Sequence, residues 1–245
     1  MSKPFTFKQF TINQDRCAMK IGTDGVLLGA WTPLDHNPYS ILDIGSGTGI
    51  IALMLAQRSA ADNIEAIELD ADAYEQCTEN FEASDWADRL FCFHAGFDEF
   101  VDEYATDETE EDELYDLIVS NPPFYAEDVT SGNEARDNAR QNTSLPFSEL
   151  ISGASKLLTS IGTFCTIIPF KEEEEFIKLA ANYQLYPKQI TRVKGNADAE
   201  VKRSLLEFTK KPSSNLKPEE LVIEKDRHVY TEDYTNLTKD FYLKM

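Results

Sequence analysis

The stretch Ser40-Ile-Leu-Asp-Ile-Gly-Ser-Gly-Thr-Gly49 decides the fold. Residues 40–44 predict a buried strand, and residues 48–58 predict a helix that opens directly from the glycines. Three glycines in five residues are needed where a tight strand-to-helix turn presents its backbone to a ligand, because side chains would block the approach. The stretch therefore predicts a strand, a turn and a helix, with a ligand at the turn.

Strands and helices alternate after this unit. We predict strands at 40–44, 64–69, 90–94, 117–120, 163–168, 185–193 and 204–209, and helices at 48–58, 71–84, 97–104, 147–158 and 172–182. This alternation predicts βαβ crossovers and a mainly parallel sheet covered on both faces, with the ligand at the carboxyl ends of the strands. We expect a doubly wound α/β fold with a seven-stranded sheet, whose last two strands form an antiparallel edge.

The ends of the chain and its composition bound the class of protein. The 245 residues, 42% of them hydrophobic, suit one α/β domain at 35–245, preceded by an extension at 1–34 that contains a strand or hairpin near 5–14 and a helix near 26–31. No apolar run approaches the roughly 18 residues of a membrane span, and residues 1–5 lack the long apolar stretch typical of a secretory signal, so we expect neither. Four scattered cysteines predict buried, reduced thiols and no metal site. We expect a cytoplasmic protein, a monomer with no membrane partner.

The net charge of −21 argues against a nucleic-acid partner, because phosphate binding needs a basic surface. The charge is unevenly distributed, however. Residues 98–116 contain eleven carboxylates and no base, which predicts a solvated acidic loop. Residues 188–211 contain seven bases and three acids. This second segment is a predicted basic patch, so the composition does not exclude RNA.

Three ligand classes compete for the glycine turn. A Walker loop requires a Gly-Lys-Ser/Thr ending, which is absent, and a dinucleotide fingerprint requires glycine or alanine where Ile50 stands. The remaining pattern, an acidic residue followed by three alternating glycines, resembles the DxGxGxG turn of class I methyltransferases. That resemblance implies S-adenosylmethionine as the methyl donor. The predicted donor-binding residues of the turn are Asp43, Gly45, Gly47 and Gly49.

The next two strand tips supply further predicted donor contacts. Glu68 is placed to accept hydrogen bonds from both ribose hydroxyls, a role that NAD would use as well. Asp70 is predicted to cap the following helix. At the third tip, Gly96 stands where the family commonly has an aspartate. We therefore predict that Phe97 packs on the donor adenine and that Asp98 or a backbone amide recognises its amine.

The tetrapeptide Asn121-Pro-Pro-Phe124 follows the fourth strand and carries the predicted chemistry. The prolines fix the backbone and donate no hydrogen bond, so the side-chain oxygen of Asn121 and the carbonyl of Pro122 can accept both hydrogens of an NH2 group. Phe124 offers a ring on which a flipped-out base stacks. The alternative is a structural Pro-Pro turn with Phe124 in the core. The tetrapeptide resembles the (N/D)PP(Y/F) group of amino-methyltransferases, which act on adenine, guanine, cytosine or a glutamine amide.

The block Lys20-Ile-Gly-Thr-Asp-Gly-Val-Leu-Leu-Gly-Ala-Trp31 narrows the choice. Together with the glycine turn and the Asn-Pro-Pro-Phe tetrapeptide, it resembles the bacterial tRNA adenine-N6 methyltransferases that modify adenine 37 beside the anticodon of a valine tRNA. The resemblance covers nearly the whole chain. It implies that the amino-terminal extension closes over the donor site, where Thr23 and Asp24 contact the ammonium and carboxylate of the donor. A helix-cap role for Asp24 is the alternative.

The predicted RNA contacts are basic side chains in two places. Arg136 and Arg140 lie in a polar loop after the tetrapeptide, and Lys194, Lys202 and Arg203 lie in the basic patch. For each one alone, a solvated surface charge is the alternative. Three other functions remain open from the residues: an rRNA guanine-N2 methyltransferase, a protein glutamine-N5 methyltransferase, and a non-catalytic nucleotide-binding module.

Overall fold

A hairpin and seven alternating elements make up the first half of the chain. The computed structural model describes residues 3–106, 108–123, 145–212 and 216–244. The elements of this half, in order, are β1 (Phe5–Thr6), β2 (Thr11–Ile12), α1 (Thr23–Trp31), β3 (Ser40–Ile44), α2 (Ile50–Arg58), β4 (Asn63–Glu68), α3 (Ala71–Glu82), β5 (Leu90–His94) and α4 (Phe97–Tyr104).

The second half begins with a single 3-10 turn in the acidic segment. Its elements are the turn Glu111–Glu113, β6 (Tyr115–Ser120), α5 (Phe147–Leu157), β7 (Leu158–Pro169), a 3-10 turn Phe170–Glu172, α6 (Glu173–Asn182), β8 (Tyr186–Asn196), β9 (Val201–Thr209), β10 (Glu219–Asp226), β11 (Val229–Tyr230) and α7 (Glu232–Thr238).

The main sheet confirms the predicted doubly wound α/β fold. Its order is β11-β10-β8-β9-β7-β6-β3-β4-β5. Strands β3 to β7 run parallel, whereas β9 runs antiparallel to both β7 and β8. The order reverses between β3 and β6, because the chain first adds β4 and β5 on one side and then β6 and β7 on the other. Such a reversal opens a ligand crevice at the carboxyl ends of the two central strands.

The predicted number of strands and their edge need correction. All seven predicted strands are present, but the sheet has nine within the described residues, since β10 and β11 extend it beyond β8. Strand β10 pairs in parallel with β8, so the antiparallel pair β8–β9 lies inside the sheet. The segment Glu219–Asp226 carries five charged residues among eight and buries only Leu221. Such a polar edge strand lacks the apolar alternation by which strands are predicted.

Helices cover both faces of the sheet and enclose two hydrophobic layers. One layer joins α1, α2 and α3 to the amino-terminal hairpin, and the other joins α4, α5 and α6. Three of the four cysteines are buried in free form, as predicted. In the part of the chain that the structure describes, no helix is long and apolar enough to cross a membrane.

The amino-terminal extension shares the first hydrophobic layer with the main domain. Phe7 and Ile12 are fully buried there, and the backbone amide of Lys8 donates to the carbonyl of Phe241 over 2.8 Å. Further along, the Asn80 side chain on α3 donates to the carbonyls of Asn13 and Thr48, each over 2.9 Å. The extension is therefore fixed to the helix beside the glycine turn and to the carboxyl-terminal segment.

Candidate active site

The predicted site residues follow directly after paired positions on neighbouring strands. Ile44 of β3 pairs with Ile67 of β4 on one side and with Ser120 of β6 on the other. The next residue along each strand is therefore Gly45, Glu68 or Asn121, and adjacent strands lie about 4.8 Å apart. The sheet thus brings the glycine turn, Glu68 and the Asn-Pro-Pro segment to one edge, at the point where the strand order reverses.

All three glycines of the turn adopt the left-handed conformation, with φ of 70°, 55° and 77° at Gly45, Gly47 and Gly49. Added Cβ atoms at Gly45 and Gly47 would meet no atom within 4 Å, whereas one at Gly49 would lie 2.6 Å from Cε1 of Phe81. The first two glycines therefore keep a space open above the turn. The third lets the start of α2 pack closely against α3.

The Glu68 carboxylate lies beside the open turn. Its Oε2 accepts from the amide of Gly47 over 2.8 Å and its Oε1 accepts from the amide of Asp70 over 2.9 Å. Asp70 caps α3 as predicted, because its side chain accepts from the amide of Ala73. The two backbone amides fix the orientation of the Glu68 carboxylate toward the strand tip, where a ribose would lie.

Asp43 is buried beneath the turn and carries an unsatisfied oxygen. Its Oδ2 accepts from the amide of Ala52 over 3.2 Å, which ties the end of β3 to α2. Its Oδ1 has no hydrogen-bond partner among the described residues. Burial raises the pKa of Asp43 from 3.8 to about 7, opposed by the Ala52 hydrogen bond and aided by the charge of Glu68. A buried acceptor without a donor beside an open glycine turn fits a ligand that brings hydrogen-bond donors.

We expect Asp43→Asn to change how stability depends on pH. The folded pKa lies above the unfolded one, so the native state binds the extra proton between about pH 4 and pH 7, and wild-type stability falls as pH rises through that window. The asparagine variant lacks this loss. Its free energy of unfolding relative to wild type should therefore rise by about 2–3 kcal/mol between pH 5 and pH 8, measured by urea denaturation. A pH-independent difference would contradict the raised pKa.

An exposed apolar side chain directly after β4 is a candidate ligand contact that the sequence analysis missed. Leu69 follows Glu68 directly and is 53% exposed, although leucine is ordinarily buried. Leu69 lies between Glu68, the last residue of β4, and Asp70, which caps α3. Its exposed side chain is therefore an apolar surface that a nucleobase can contact. The signal in the sequence was a large apolar residue at the tip of a strand, where the chain leaves the core.

The third tip corrects the prediction for Phe97. This residue is only 8% exposed, and a Cβ on Gly153 of α5 would lie 2.5 Å from its ring. Phe97, Phe100 and Val101 form the buried face of α4, with the spacing of an amphipathic helix. The ring therefore belongs to the core between α4 and α5. Asp98 is exposed in the first turn of α4, and its role toward the donor remains a prediction.

Asn121 lies against the first turn of α1. A Cβ on Gly25 would come within 4.0 Å of the Asn121 Nδ2 and within 3.3 Å of Cγ2 of Ile50. Pro122 is buried and Pro123 half-buried, which holds the backbone after β6 in place. The predicted acceptor pair, the Asn121 side chain and the Pro122 carbonyl, therefore belongs to a backbone segment that packing holds in place.

Asp24 and Arg203, predicted for different roles, form an ion pair. The Nε of Arg203 on β9 lies 2.8 Å from Oδ2 of Asp24, and the two side chains are about one-third exposed. Thr23, the first residue of α1, is exposed beside them. No side chain caps the start of α1, so the helix-cap role considered for Asp24 is wrong. The carboxylate instead ties α1 to the main sheet.

The predicted basic patch is largely neutralised by ion pairs. Besides the pair just described, three of its cations bind carboxylates: Lys188 with Glu207, Arg192 with Glu173, and Lys194 with Glu220, at 2.6–2.9 Å. Three of the four acids, Asp24, Glu173 and Glu220, lie outside residues 188–211. Counting charges along one segment therefore overestimated its positive surface. Lys202 is exposed and has no ion-pair partner in the described ranges.

Three predicted site residues lie outside the described residues. These are Phe124, the predicted stacking ring, and Arg136 and Arg140, the predicted RNA contacts after the tetrapeptide.

Comparison with known proteins shows which family this arrangement represents. The family model for the methyltransferase small domain matches residues 26–183. A relative from Flavobacterium johnsoniae named tRNA1(Val) (adenine(37)-N6)-methyltransferase is 61% identical, over 98% of this chain and 100% of its own. A relative of the same name from Bacteroides fragilis is 43% identical over both full lengths.

The fold is similar to that of solved methyltransferases. The structure of a predicted O-methyltransferase from Agrobacterium tumefaciens matches with a TM-score of 0.68 at 19% identity, over 89% of this chain and 96% of that one. At that identity the match shows the fold alone. The sequence relatives show the family, and the chain belongs to the tRNA1(Val) (adenine(37)-N6)-methyltransferases, within the methyltransferase small domain family.

Proposed function

We propose that this protein transfers a methyl group from S-adenosylmethionine to the N6 amine of adenine 37 in a valine tRNA. The observation that carries the proposal is the juxtaposition of Asn121-Pro122 with the glycine turn on adjacent strands, β6 and β3. A planar NH2 acceptor and a donor held at the turn would meet there. The names of the relatives, which match over their full length, supply adenine and tRNA as the substrate class.

The donor site combines an open cradle with unsatisfied acceptors. Gly45 and Gly47 leave space for the ligand, Glu68 accepts from the ribose hydroxyls, and Asp43, whose Oδ1 has no partner among the described residues, lies at the end of β3 directly before the turn. Leu69 supplies an apolar contact to the adenine in place of Phe97. Thr23 and the Asp24–Arg203 pair stand near the methionine end, where the amino-terminal extension at 1–34 closes the site.

Positioning and hydrogen bonding perform the reaction. Bound S-adenosylmethionine supplies the electrophilic methyl group. Asn121 Oδ1 and the Pro122 carbonyl accept the two amine hydrogens, which draws the nitrogen lone pair out of conjugation and toward the methyl carbon. The N–C bond forms as the S–C bond breaks, and the amine proton leaves to solvent. Orientation of this kind supplies much of the rate enhancement without a strong base.

Methyl transfer tests the proposal directly. We expect labelled S-adenosylmethionine to label total tRNA from a strain that lacks this gene, and nucleoside analysis to give N6-methyladenosine. Label in N2-methylguanosine of ribosomal RNA, or in a protein glutamine, would replace the proposal with one of the alternatives. Binding of NAD without binding of the donor, measured by calorimetry, would indicate a nucleotide-binding module. A tRNA substrate agrees with the predicted action in the cytoplasm, and the monomeric state stays a prediction.

A further inference from the structure

An aromatic cleft lies where the two ends of the chain meet. It encloses about 600 Å³, and tyrosines 230, 234 and 242 line it together with Phe5. Tyr230 is 39% exposed, and its ring centroid lies 5.1 Å from that of the buried Tyr234. One aromatic ring is therefore supported from behind by a second, while part of its surface remains open.

The rings of the cleft are fixed by their neighbours. Tyr242 packs on Phe5 and Phe7, with ring centroids 6.2 Å and 5.8 Å away, and its hydroxyl is hydrogen-bonded to that of Tyr234. Burial raises the pKa of both these tyrosines, so their hydroxyls stay protonated and neutral. A preformed set of rings loses little conformational entropy when it binds a flat ligand.

The cleft adjoins the site of methyl transfer through α1. Gly22 and Thr23 form its wall at the start of the helix, and Gly25, two residues on, lies against Asn121. Two residues of a helix span about 3 Å along its axis. A nucleotide in the cleft and a base held at Asn121 would therefore both lie against the start of α1.

Four cations flank the cleft. Lys244 lines it, and Lys20 precedes its wall and donates from its Nζ to the carbonyl of Gln14. Lys225 lies near the end of β10, and Arg227 lies in the turn between β10 and β11. Unlike most cations of the basic patch, these have no carboxylate partner within the ranges that the structure describes. Acidic residues are also present nearby: Glu224 in the lining, and Asp226, Glu232 and Asp233 beside it. The four cations and four acids balance, so the cleft offers no net positive charge to a long phosphate backbone, and Lys244 in its lining is the cation that a single phosphate would contact.

We propose that this cleft binds an unstacked nucleotide of the RNA substrate other than the target adenine, with its base on Tyr230 and its phosphate at Lys244. The inference rests on the proposed function. It explains how a chain of net charge −21 holds RNA, because aromatic stacking contributes binding free energy without a basic surface. Every base has a π face, so the cleft tolerates different sequences.

The test is binding of the isolated anticodon stem-loop, measured by fluorescence anisotropy, alongside methyl transfer. We expect Tyr230→Ala to raise Kd and KM for the RNA about 5- to 100-fold, with kcat and donor affinity unchanged. Tyr230→Phe, which keeps the ring, should stay within about twofold of wild type. Tyr39→Ala is the matched control. Tyr39 is an exposed tyrosine, with 63% of its surface accessible, but it precedes β3 and so lies at the amino end of that strand, away from the predicted site at the carboxyl ends.

Each outcome decides between the two hypotheses. If Tyr230→Ala leaves the Kd for the stem-loop unchanged, the proposal that the cleft binds RNA is refuted. The same conclusion follows if Tyr39→Ala raises that Kd as much as Tyr230→Ala does. If Tyr230→Phe raises the Kd as much as Tyr230→Ala does, stacking on Tyr230 is also refuted, because stacking needs only the aromatic ring. Wild-type protein that binds the stem-loop through Tyr230 without methylating it would refute the proposed function and keep the cleft. Failure of wild type to bind any RNA would refute both.

Salt dependence gives an independent readout. Binding through one or two phosphates predicts that Kd for the stem-loop rises only about tenfold or less between 50 mM and 200 mM salt. A rise of a thousandfold or more would indicate six or more phosphate contacts and would overturn a site dominated by stacking.

Discussion

Asn121→Ala is expected to lower kcat for methyl transfer at least about a hundredfold, while the Kd for S-adenosylmethionine stays within about twofold. The magnitude follows from losing one preorganised hydrogen-bond partner of the transition state, which typically costs a factor of about 10²–10³. We expect donor affinity to be spared because the proposed donor contacts lie in the glycine turn, at Glu68 and at the start of α1, whereas Asn121 follows β6. Single-turnover kinetics with saturating tRNA would measure the first quantity, and calorimetry the second.

Two further variants distinguish the effect on kcat of the Asn121 hydrogen bond from the effect of the shape of the site. Asn121→Asp keeps an acceptor oxygen at the same place and should retain more activity than the alanine variant. Gly25→Ala adds a Cβ 4.0 Å from the Asn121 amide nitrogen and should lower kcat less than Asn121→Ala does. Wild-type activity in Asn121→Ala would remove the amide from the mechanism.

Gly49→Ala is expected to destabilise the protein by about 2–5 kcal/mol. Its backbone, at φ 77°, costs a residue with a Cβ about 1–2 kcal/mol, and the added atom would lie 2.6 Å from the ring of Phe81 and 2.8 Å from Sγ of Cys77. Both neighbours are buried, so overpacking adds about 1–3 kcal/mol. The melting temperature should fall by roughly 5–20 °C, measured by calorimetry in the absence of donor.

Gly47→Ala is the matched control in the same turn. Its φ of 55° carries the same backbone cost, but its Cβ would meet no protein atom within 4 Å. We expect a loss of only about 1–2 kcal/mol in stability, together with at least tenfold weaker donor binding, because the methyl group enters the cradle. Equal destabilisation by the two substitutions would show that packing against α3 does not explain Gly49.

Residues close together in the chain determined the donor turn and the catalytic segment. A strand, three glycines and a helix leave few conformations for residues 40–58, and two prolines fix the backbone after Asn121. The cap at Asp70 was predictable for the same reason, since it depends on one helix start. Alternating elements then placed the strand tips at one edge of the sheet, because consecutive parallel strands share their direction.

Contacts between distant segments decided the remaining features. The phase of α4, set by packing on Gly153 of α5, directed Phe97 into the core rather than toward the donor. The strand β10 exists because β8 offers it an edge, although its own residues are mostly charged.

The sequence by itself determined the strand, glycine turn and helix, the position of the Asn-Pro-Pro segment after β6 and the family, because each depends on residues within a few positions of one another. Only the tertiary structure decided the electrostatics and the cleft. Asp24 and Arg203 are 179 positions apart and neutralise each other, and the cleft forms only where the two ends of the chain pack together. The spacing of residues along the chain does not predict such contacts, because they depend on how the packed layers bring distant segments together.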